Sequence, residues 1–484
     1  MSVYRPELHV TAERGILEGP AGVIRAGARE HHEHHEWHMF YQYKLDPDAA
    51  SAWGHEVSES DPFSWLECND AIVPVGGELN VRAGSVVASE DSGVDSDGNQ
   101  AIDLYFTSNT AAGNTIQRAH ADDLAAISDE LDEAEDGRLL PAAGVKRLGA
   151  VVQDDEEFTS FRSPCVVRDW RECEDLGATH VGWIMLAVTG PTESPQPVVL
   201  TSADGQAWKV EGALIFEGES GLDTTGRLVA PRITRLRDEV DNEIYDVLFL
   251  TVEGTERDRA VYLVGKLEGN VFKVTSPAAP LDYGHDFTRP RNSTYTLEPA
   301  NAQDRFERTY FFGFMAKAGR NIDPTEEPNW SSEGWARALT LPRRATLQHG
   351  VLYQVPAPGL PEAVQSSRHA LMWTALCDIP VGSTVVADVL DGNEEPVAVI
   401  THNGETLTVD RLDGDPVEAK VNEDDEDNIT IIVDGSTLEV FAGGGSVVTS
   451  SRIWSESGYT GIRSRVTGDA EIFNEWRRGF PSAR

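Results

Sequence analysis

An all-β fold is what this sequence predicts, and three observations carry the prediction. Helical periodicity is scarce: one acidic stretch, Ala121 to Ala134 (ADDLAAISDELDEA), has the Ala, Leu and Glu content of a helix. Short β-branched and aromatic runs recur along the rest, such as GWIMLAVTG, YDVLFLTVEG, AVYLVGKLEGNVFKV and RTYFFGFMA. Clusters of Gly, Pro, Asp and Asn separate them. Even spacing of this kind indicates a sandwich, a barrel or a propeller, and local physics does not choose among the three.

The first strand signal comes early. Leu17-Glu18-Gly19-Pro20-Ala21-Gly22 is a turn-forming run, and His38 to Tyr43 (HMFYQY) alternates aromatic and polar residues as a strand does. Between them lies Glu30-His31-His32-Glu33-His34-His35-Glu36. Imidazoles beside carboxylates are good zinc or nickel ligands. The flanking Gly27 and Trp37-His38 make an exposed hairpin tip the expected reading instead, and no metal site is assigned. Asp91 to Asn99 (DSGVDSDGN) resembles a calcium loop but lacks the glycine and distal glutamate of an EF-hand, so it reads as an exposed acidic loop. Late in the chain, LYQVPAPGLPEA is proline-rich and reads as a connection, with strand-like sequence resuming beyond it.

Composition narrows the function classes. The 484 residues suffice for two domains, and an apolar fraction of 40% allows a sizeable core. With 81 acidic against 40 basic residues, the net charge of −41 argues against nucleic acid and anionic membrane surfaces as partners. A solvated acidic coat is the expected reading. No run of about 18 apolar residues occurs, so no membrane-spanning helix is expected. MSVYRPELHV lacks a basic region followed by an apolar one, and Cys68, Cys165, Cys173 and Cys377 are scattered without metal-ligand spacing. A cytoplasmic protein with reduced cysteines and no cofactor is the simplest expectation.

The motifs, taken in order, resemble glycoside hydrolase family 32, the invertase, levanase and sucrose-6-phosphate hydrolase family. Leu17 to Gly22 is similar to its W-M-N-D-P-N-G opening. His38 to Tyr43 is similar to H-x-F-Y-Q-Y, and Trp53-Gly54-His55 with Asp61 to Trp65 to W-G-H-x-x-S-x-D-x-x-x-W. Arg82-Ala83-Gly84-Ser85 sits where the family has F-S-G-S, and Phe161-Arg162-Ser163-Pro164 at F-R-D-P. Gly182 to Met185 and Asp204 to Trp208 resemble K-W-V-M and D-L-x-x-W, and Asp282 to Phe287 resembles D-x-G-x-D-F. Gly334 to Arg343 is similar to W-A-G-A-L-T-L-P-R. Val433 to Phe441 with Thr449 to Ile453 resembles V-D-x-S-S-V-E-V-F followed by T-S-R-I. The resemblance implies a five-bladed β-propeller followed by a C-terminal β-sandwich. It places the propeller at 1–347, a linker at 348–362 and the sandwich at 363–484.

A retaining glycosidase needs two carboxyl groups about 5 Å apart, one as nucleophile and one as proton donor. The resemblance implies a third, an Asp that stabilises the transition state. Anchoring on Pro20 and Gly22 puts Gly19 at the nucleophile position and Glu18 where the family has Asn. The stabiliser falls on Ser163. The best counterpart of W-E-C-P-D-L-F is Leu228-Val229-Ala230-Pro231-Arg232-Ile233, which puts Val229 at the acid/base position. None of the three carries a carboxyl group. Glu18 is the displaced candidate nucleophile, and in a strand it reaches the same side only through a bulge. Glu217, Glu219 and Asp223 are the candidate displaced acids. Asp169 and Glu172, beside Arg168 and Cys173, look like motif residues by accident and read as loop residues.

Gln42, Trp53, Ser85, Arg162 and Ser163 form the sugar-binding set the resemblance implies, an aromatic platform with amide, hydroxyl and guanidinium donors. Their alternative role is packing, and for His55 packing is the expected one. Three readings follow: a small-carbohydrate binding protein for a fructoside or sucrose, without ordinary hydrolysis; an active β-fructofuranosidase or sucrose-6-phosphate hydrolase led by Glu18; or an assembly protein with a vestigial funnel.

Overall fold

Four successive β-sheets build the N-terminal part around a common channel. The computed structural model describes residues 3–26, 36–89, 100–128, 131–134, 138–169, 182–223, 226–254, 257–295, 302–316, 323–422 and 425–479. The His31–His35 run, the 91–99 loop, Glu172 and Cys173 lie outside the described residues.

The first group of strands is β1 (Gly15–Ala26), β2 (Glu36–Lys44), β3 (Ala52–Glu59) and β4 (Leu66–Ile72), paired in sequence order. The second is β5 (Glu78–Ala88), β6 (Ile102–Thr110), β7 (Gly113–Ala121) and β8 (Val145–Ala150). The third is β9 (Arg162–Arg168), β10 (Trp183–Thr189), β11 (Gln196–Ser202) and β12 (Lys209–Ala213). The fourth adds β13 (Ile215–Glu217) to β14 (Arg227–Arg237), β15 (Ile244–Glu253), β16 (Arg259–Glu268) and β17 (Val271–Pro280). The last group is β18 (Thr288–Tyr295), β19 (Thr309–Met315), the two-residue strands β20 (Trp335–Ala336) and β21 (Ala338–Leu339), β22 (Arg343–Gln348) and β23 (Val351–Pro356).

Parallel pairing of β1 with β18, from Val23 opposite Ser293 to Arg25 opposite Tyr295, fuses the first and last groups into one ten-stranded sheet. Chain closure therefore leaves four sheets, not five separate ones. Apolar residues of facing sheets fill the spaces between them: Phe40, Trp53, Val86 and Phe106 form one such layer, and Val87, Phe161, Val166 and Met185 the next. The proline-rich stretch from Leu352 begins inside β23, which pairs with β22, and runs on into the helix Leu360–Ser366.

The C-terminal part is a β-sandwich of two five-stranded sheets. Its strands are β24 (Leu371–Asp378), β25 (Thr384–Asp391), β26 (Pro396–His402), β27 (Thr406–Asp410), β28 (Val417–Lys420), β29 (Ile429–Asp434), β30 (Thr437–Ala442), β31 (Val447–Arg452), β32 (Tyr459–Thr467) and β33 (Glu471–Arg478). Strict alternation in β24 and β27 sends Leu371, Trp373, Ala375, Leu407 and Val409 into the core between the sheets.

The two parts meet across buried charge. Arg343 of β22 reaches Asp282 at 2.8 Å and Glu439 of β30 at 2.7 Å. His9 bridges Asp434 at 2.8 Å and Glu439 at 3.1 Å. The hydrogen bonds to both carboxylates outweigh desolvation, so the imidazole is held above its ordinary value. Asp286 takes Arg411 at 3.0 Å and the Arg452 amide at 2.8 Å.

The helix expected over Ala121 to Ala134 is corrected. Ala121 ends β7, and residues 124–128 are turn. Tertiary pairing outcompetes helix propensity here: the Leu124 amide donates to the Gln100 carbonyl at 2.9 Å, while Leu124 and Ile127 bury in the core. The short helices Ala302–Glu307 and Pro328–Glu333 escaped the sequence pattern because neither exceeds two turns. Among the described residues no helix is long and apolar enough to cross a membrane.

Candidate functional site at the mouth of the channel

Each strand that lines the channel carries an extra residue at the same level. The partner register slips between Leu17 and Gly19 in β1, Arg82 and Ser85 in β5, Arg162 and Cys165 in β9, Val229 and Arg232 in β14, and Thr288 and Arg291 in β18. Bulges bend strands and re-aim side chains, and they gather beside functional sites. Four of the five place a positive-φ residue directly before proline: Gly19 (φ 146°), Ser163 (56°), Ala230 (49°) and Arg289 (48°). For the three that carry a β-carbon this is strained backbone, held in place by the surrounding sheets. The motif positions singled out in the sequence are thus the bulges of one ring.

Hydrogen bonds tie the ring together. Gln42 accepts from the Ala83 amide at 2.9 Å, and the Trp53 indole donates to the Arg82 carbonyl at 3.0 Å. The Thr107 hydroxyl accepts from the Ser163 amide at 2.9 Å and donates to the Ala83 carbonyl at 3.3 Å. Arg232 then donates to the Ser163 carbonyl at 3.0 Å. All but the Thr107–Ala83 contact, which lies within the second sheet, join one sheet to the next.

Glu18 is the extra residue of the β1 bulge, and its carboxylate is 21% exposed. It accepts from Gln42 Nε2 at 2.5 Å and from the Ser51 hydroxyl, with Lys44 at 3.7 Å. Beside it, the β-carbon direction of Gly19 meets no atom within 4 Å. Val229 is half-buried at the start of the β14 bulge. Glu253, the carboxylate near that end of β15, contacts Arg227 at 3.1 Å and Arg289 at 3.8 Å. Glu217 lies in β13 and pairs with Lys273 of β17, on the opposite edge of its sheet from β14.

The rim is cationic, against the trend of the whole chain. Lys44 and Arg337 act on Glu18, Arg162, Arg227 and Arg289 act on Glu253, and Arg82 lies beside Arg162. Burial, and then Arg82, lower the Arg162 guanidinium from its ordinary value. Burial likewise lowers Arg337, which Glu327 and Glu18 partly offset. Arg162 spends Nη1 on the Ser160 and Gly190 carbonyls at 3.1 and 2.6 Å.

Two members of the expected sugar-binding set need correction. Trp53 is 0% exposed, packed between Phe40 and Phe106, and a stacking platform needs an open face. The Ser85 hydroxyl is buried between sheets, accepting from the Val166 amide at 3.2 Å and lying 3.4 Å from its carbonyl. Gln42, Arg162 and Ser163 remain at the mouth. His55 packs as expected, fully buried and stacked on Phe40 at 4.4 Å. Asp169 is buried beyond the far end of β9, away from the mouth. The sequence reading missed Lys44, Ser51, Thr107, Arg289 and Arg337. Only Arg289 carried a signal, since Arg289-Pro290 repeats the residue-proline step of the other bulges.

Residues 9–356 match the family described as the glycosyl hydrolases family 32 N-terminal domain, and residues 385–476 match the family 32 C-terminal domain. The chain belongs to glycosyl hydrolase family 32. This is a family of β-fructofuranosidase-type hydrolases. Similar proteins include the sucrose-6-phosphate hydrolase of Bacillus subtilis, 24% identical over 97% of this chain and 93% of its own. The raffinose invertase of Escherichia coli is 23% identical over 94% and 90%. Among solved structures, a fructofuranosidase from Schwanniomyces occidentalis superposes with a TM-score of 0.74 at 17% identity, over 99% and 98% of the two chains. The sucrose-6-phosphate hydrolase from Lactobacillus gasseri gives 0.71 at 19% identity, over 98% and 94%. These neighbours share the propeller-plus-sandwich fold.

Proposed function

We propose that this family 32 member binds a fructoside at the mouth of its propeller channel without ordinary hydrolysis. The observation that carries the reading is Gly19. It stands where the family resemblance puts the nucleophile, it has no side chain, and the space its β-carbon would enter is open. Ser163 and Val229, at the stabiliser and acid/base positions, likewise bring no carboxyl group. Without a nucleophile and a proton donor facing the same bond, retaining hydrolysis has no route. The hydrogen-bonding groups of Gln42, Ser51 and Arg162 suit sugar hydroxyls, and the cationic rim favours a fructoside bearing a phosphate. Several similar proteins are sucrose-6-phosphate hydrolases.

A second reading has a specific observation in its favour. A displaced nucleophile at Glu18 requires a bulge in β1, and β1 has one there. In that reading the protein is an active β-fructofuranosidase with a rearranged site. One experiment separates the two: purified protein is incubated with sucrose and with sucrose 6-phosphate, fructose release is followed, and ligand-induced change in Tm is measured in parallel. A raised Tm without fructose supports the binding protein. Fructose release that disappears in Glu18→Gln overturns it in favour of the displaced nucleophile.

A further inference from the structure

Two guanidinium groups are enclosed in the channel itself, one level below the mouth. Arg232 of β14 is 1% exposed and Arg291 of β18 is 4% exposed. Arg232 Nη1 donates to the Ser163 carbonyl at 3.0 Å and the Pro231 carbonyl at 2.6 Å, while its Nε and Nη2 have no nitrogen or oxygen partner and the guanidinium has only the Cys165 sulfur beside it. Arg291 Nη1 donates to the Pro290 carbonyl at 3.2 Å, and its Nε has none. Both side chains line one narrow cavity with Ser85, Cys165, Asn292 and Thr294.

Among the described residues, no carboxylate acts on either group. Arg232 feels the Cys165 sulfur, and Arg291 feels Arg232, Cys165 and Arg289. Burial pushes the Arg232 guanidinium down to about 10 and Arg291 well below its ordinary range. Buried like charges with unsatisfied donors are costly unless an anion joins them. Arg232 also stands where the motif W-E-C-P-D-L-F has its Asp, so the charge at this position is reversed relative to that pattern.

We propose that a halide-sized anion, chloride or its equivalent, binds in the channel between Arg232 and Arg291. The cavity is small, with a volume of about 10 Å³, room for one small particle. The anion takes the orphaned N–H donors of both arginines and pins β14 to β18, and through the Ser163 carbonyl on Arg232 it steadies the bulge of β9 above.

Halide-dependent stability of the whole protein tests this. Because any salt screens a net charge of −41, chloride is exchanged for gluconate at constant ionic strength. The natural protein should gain about 1.4 °C in Tm, saturably, by tenfold above half-saturation. Arg291→Met should lose that gain, while matching or exceeding the natural Tm in gluconate because it removes a buried repulsion. Crystals soaked in bromide should give an anomalous peak within hydrogen-bonding distance of both arginines. Equal Tm in chloride and gluconate, or bromide absent from the channel, overturns the proposal.

Discussion

Replacing Arg343 by Met should destabilise the protein by about 3–5 kcal/mol at neutral pH. The side chain is fully buried, as are both its partners, Asp282 and Glu439. Methionine keeps most of the volume, so the loss is electrostatic rather than a cavity effect. Each carboxylate keeps some support: Asp282 accepts from the Gly284 amide at 2.7 Å, and Glu439 keeps His9 and the Leu341 amide at 2.7 Å. Neither replaces a guanidinium shared at 2.7–2.8 Å. For a chain of 484 residues the effect corresponds to a fall in Tm of about 4 °C. Urea unfolding measured from pH 5 to pH 8 is the assay. Burial already holds Asp282 above the usual carboxylate range, and removing Arg343 raises it further and lifts Glu439 with it. A carboxyl whose folded-state value is raised destabilises progressively as pH rises through that range, so the loss should grow toward pH 8 and shrink toward pH 5. A loss below about 1 kcal/mol, or one independent of pH, would refute the view that this charge cluster clamps the sandwich to the propeller.

Three further outcomes are expected. Burial, reinforced by Glu67, pushes Glu56 up to about 8, and it takes Glu67 and Asp70 to about 7; stability should therefore fall as pH rises from about 5 to 8, and Glu56→Gln should flatten that slope and stabilise the protein by a few kcal/mol at pH 8, as read from Tm across pH. Gly19→Asp alone should release no fructose from sucrose, whereas Gly19→Asp with Ser163→Asp and Val229→Glu should release some; activity in the single variant would mean that an acid/base group already faces the site. Arg82→Ala should weaken sucrose 6-phosphate binding about tenfold more than it weakens sucrose binding, because only the phosphate draws on that charge; titration calorimetry showing equal losses would place the phosphate elsewhere or remove it from the reading.

How far the sequence spoke for the structure depended on what kind of residue held each feature. Proline was the most legible. Pro20, Pro164 and Pro231 each follow a positive-φ bulge residue, and that local constraint let Gly19, Ser163 and Val229 be aligned without any view of the fold. Alternation was legible too, since strands with a period of two announce their buried faces; the acidic segment near Leu124 misled because one amide bonded to Gln100 decides its backbone, and no local pattern encodes that. The rim was largely illegible. Lys44, Ser51, Thr107 and Arg337 are single polar residues from separate segments, brought together only by closure of the channel. Trp53 was legible as aromatic but not as buried, because its neighbours Phe40 and Phe106 come from other strands. Several motifs that look catalytic by association serve the domain junction: Asp282 and Asp286, Arg343, Asp434 and Glu439, and Ser450 all meet there. Strong likeness in those motifs therefore testifies to the clamp between propeller and sandwich, and it is independent of which residues stand at the mouth. The residues that hold the two parts together and the residues at the mouth are different ones, so whole-chain similarity speaks for the fold and leaves the activity to be measured.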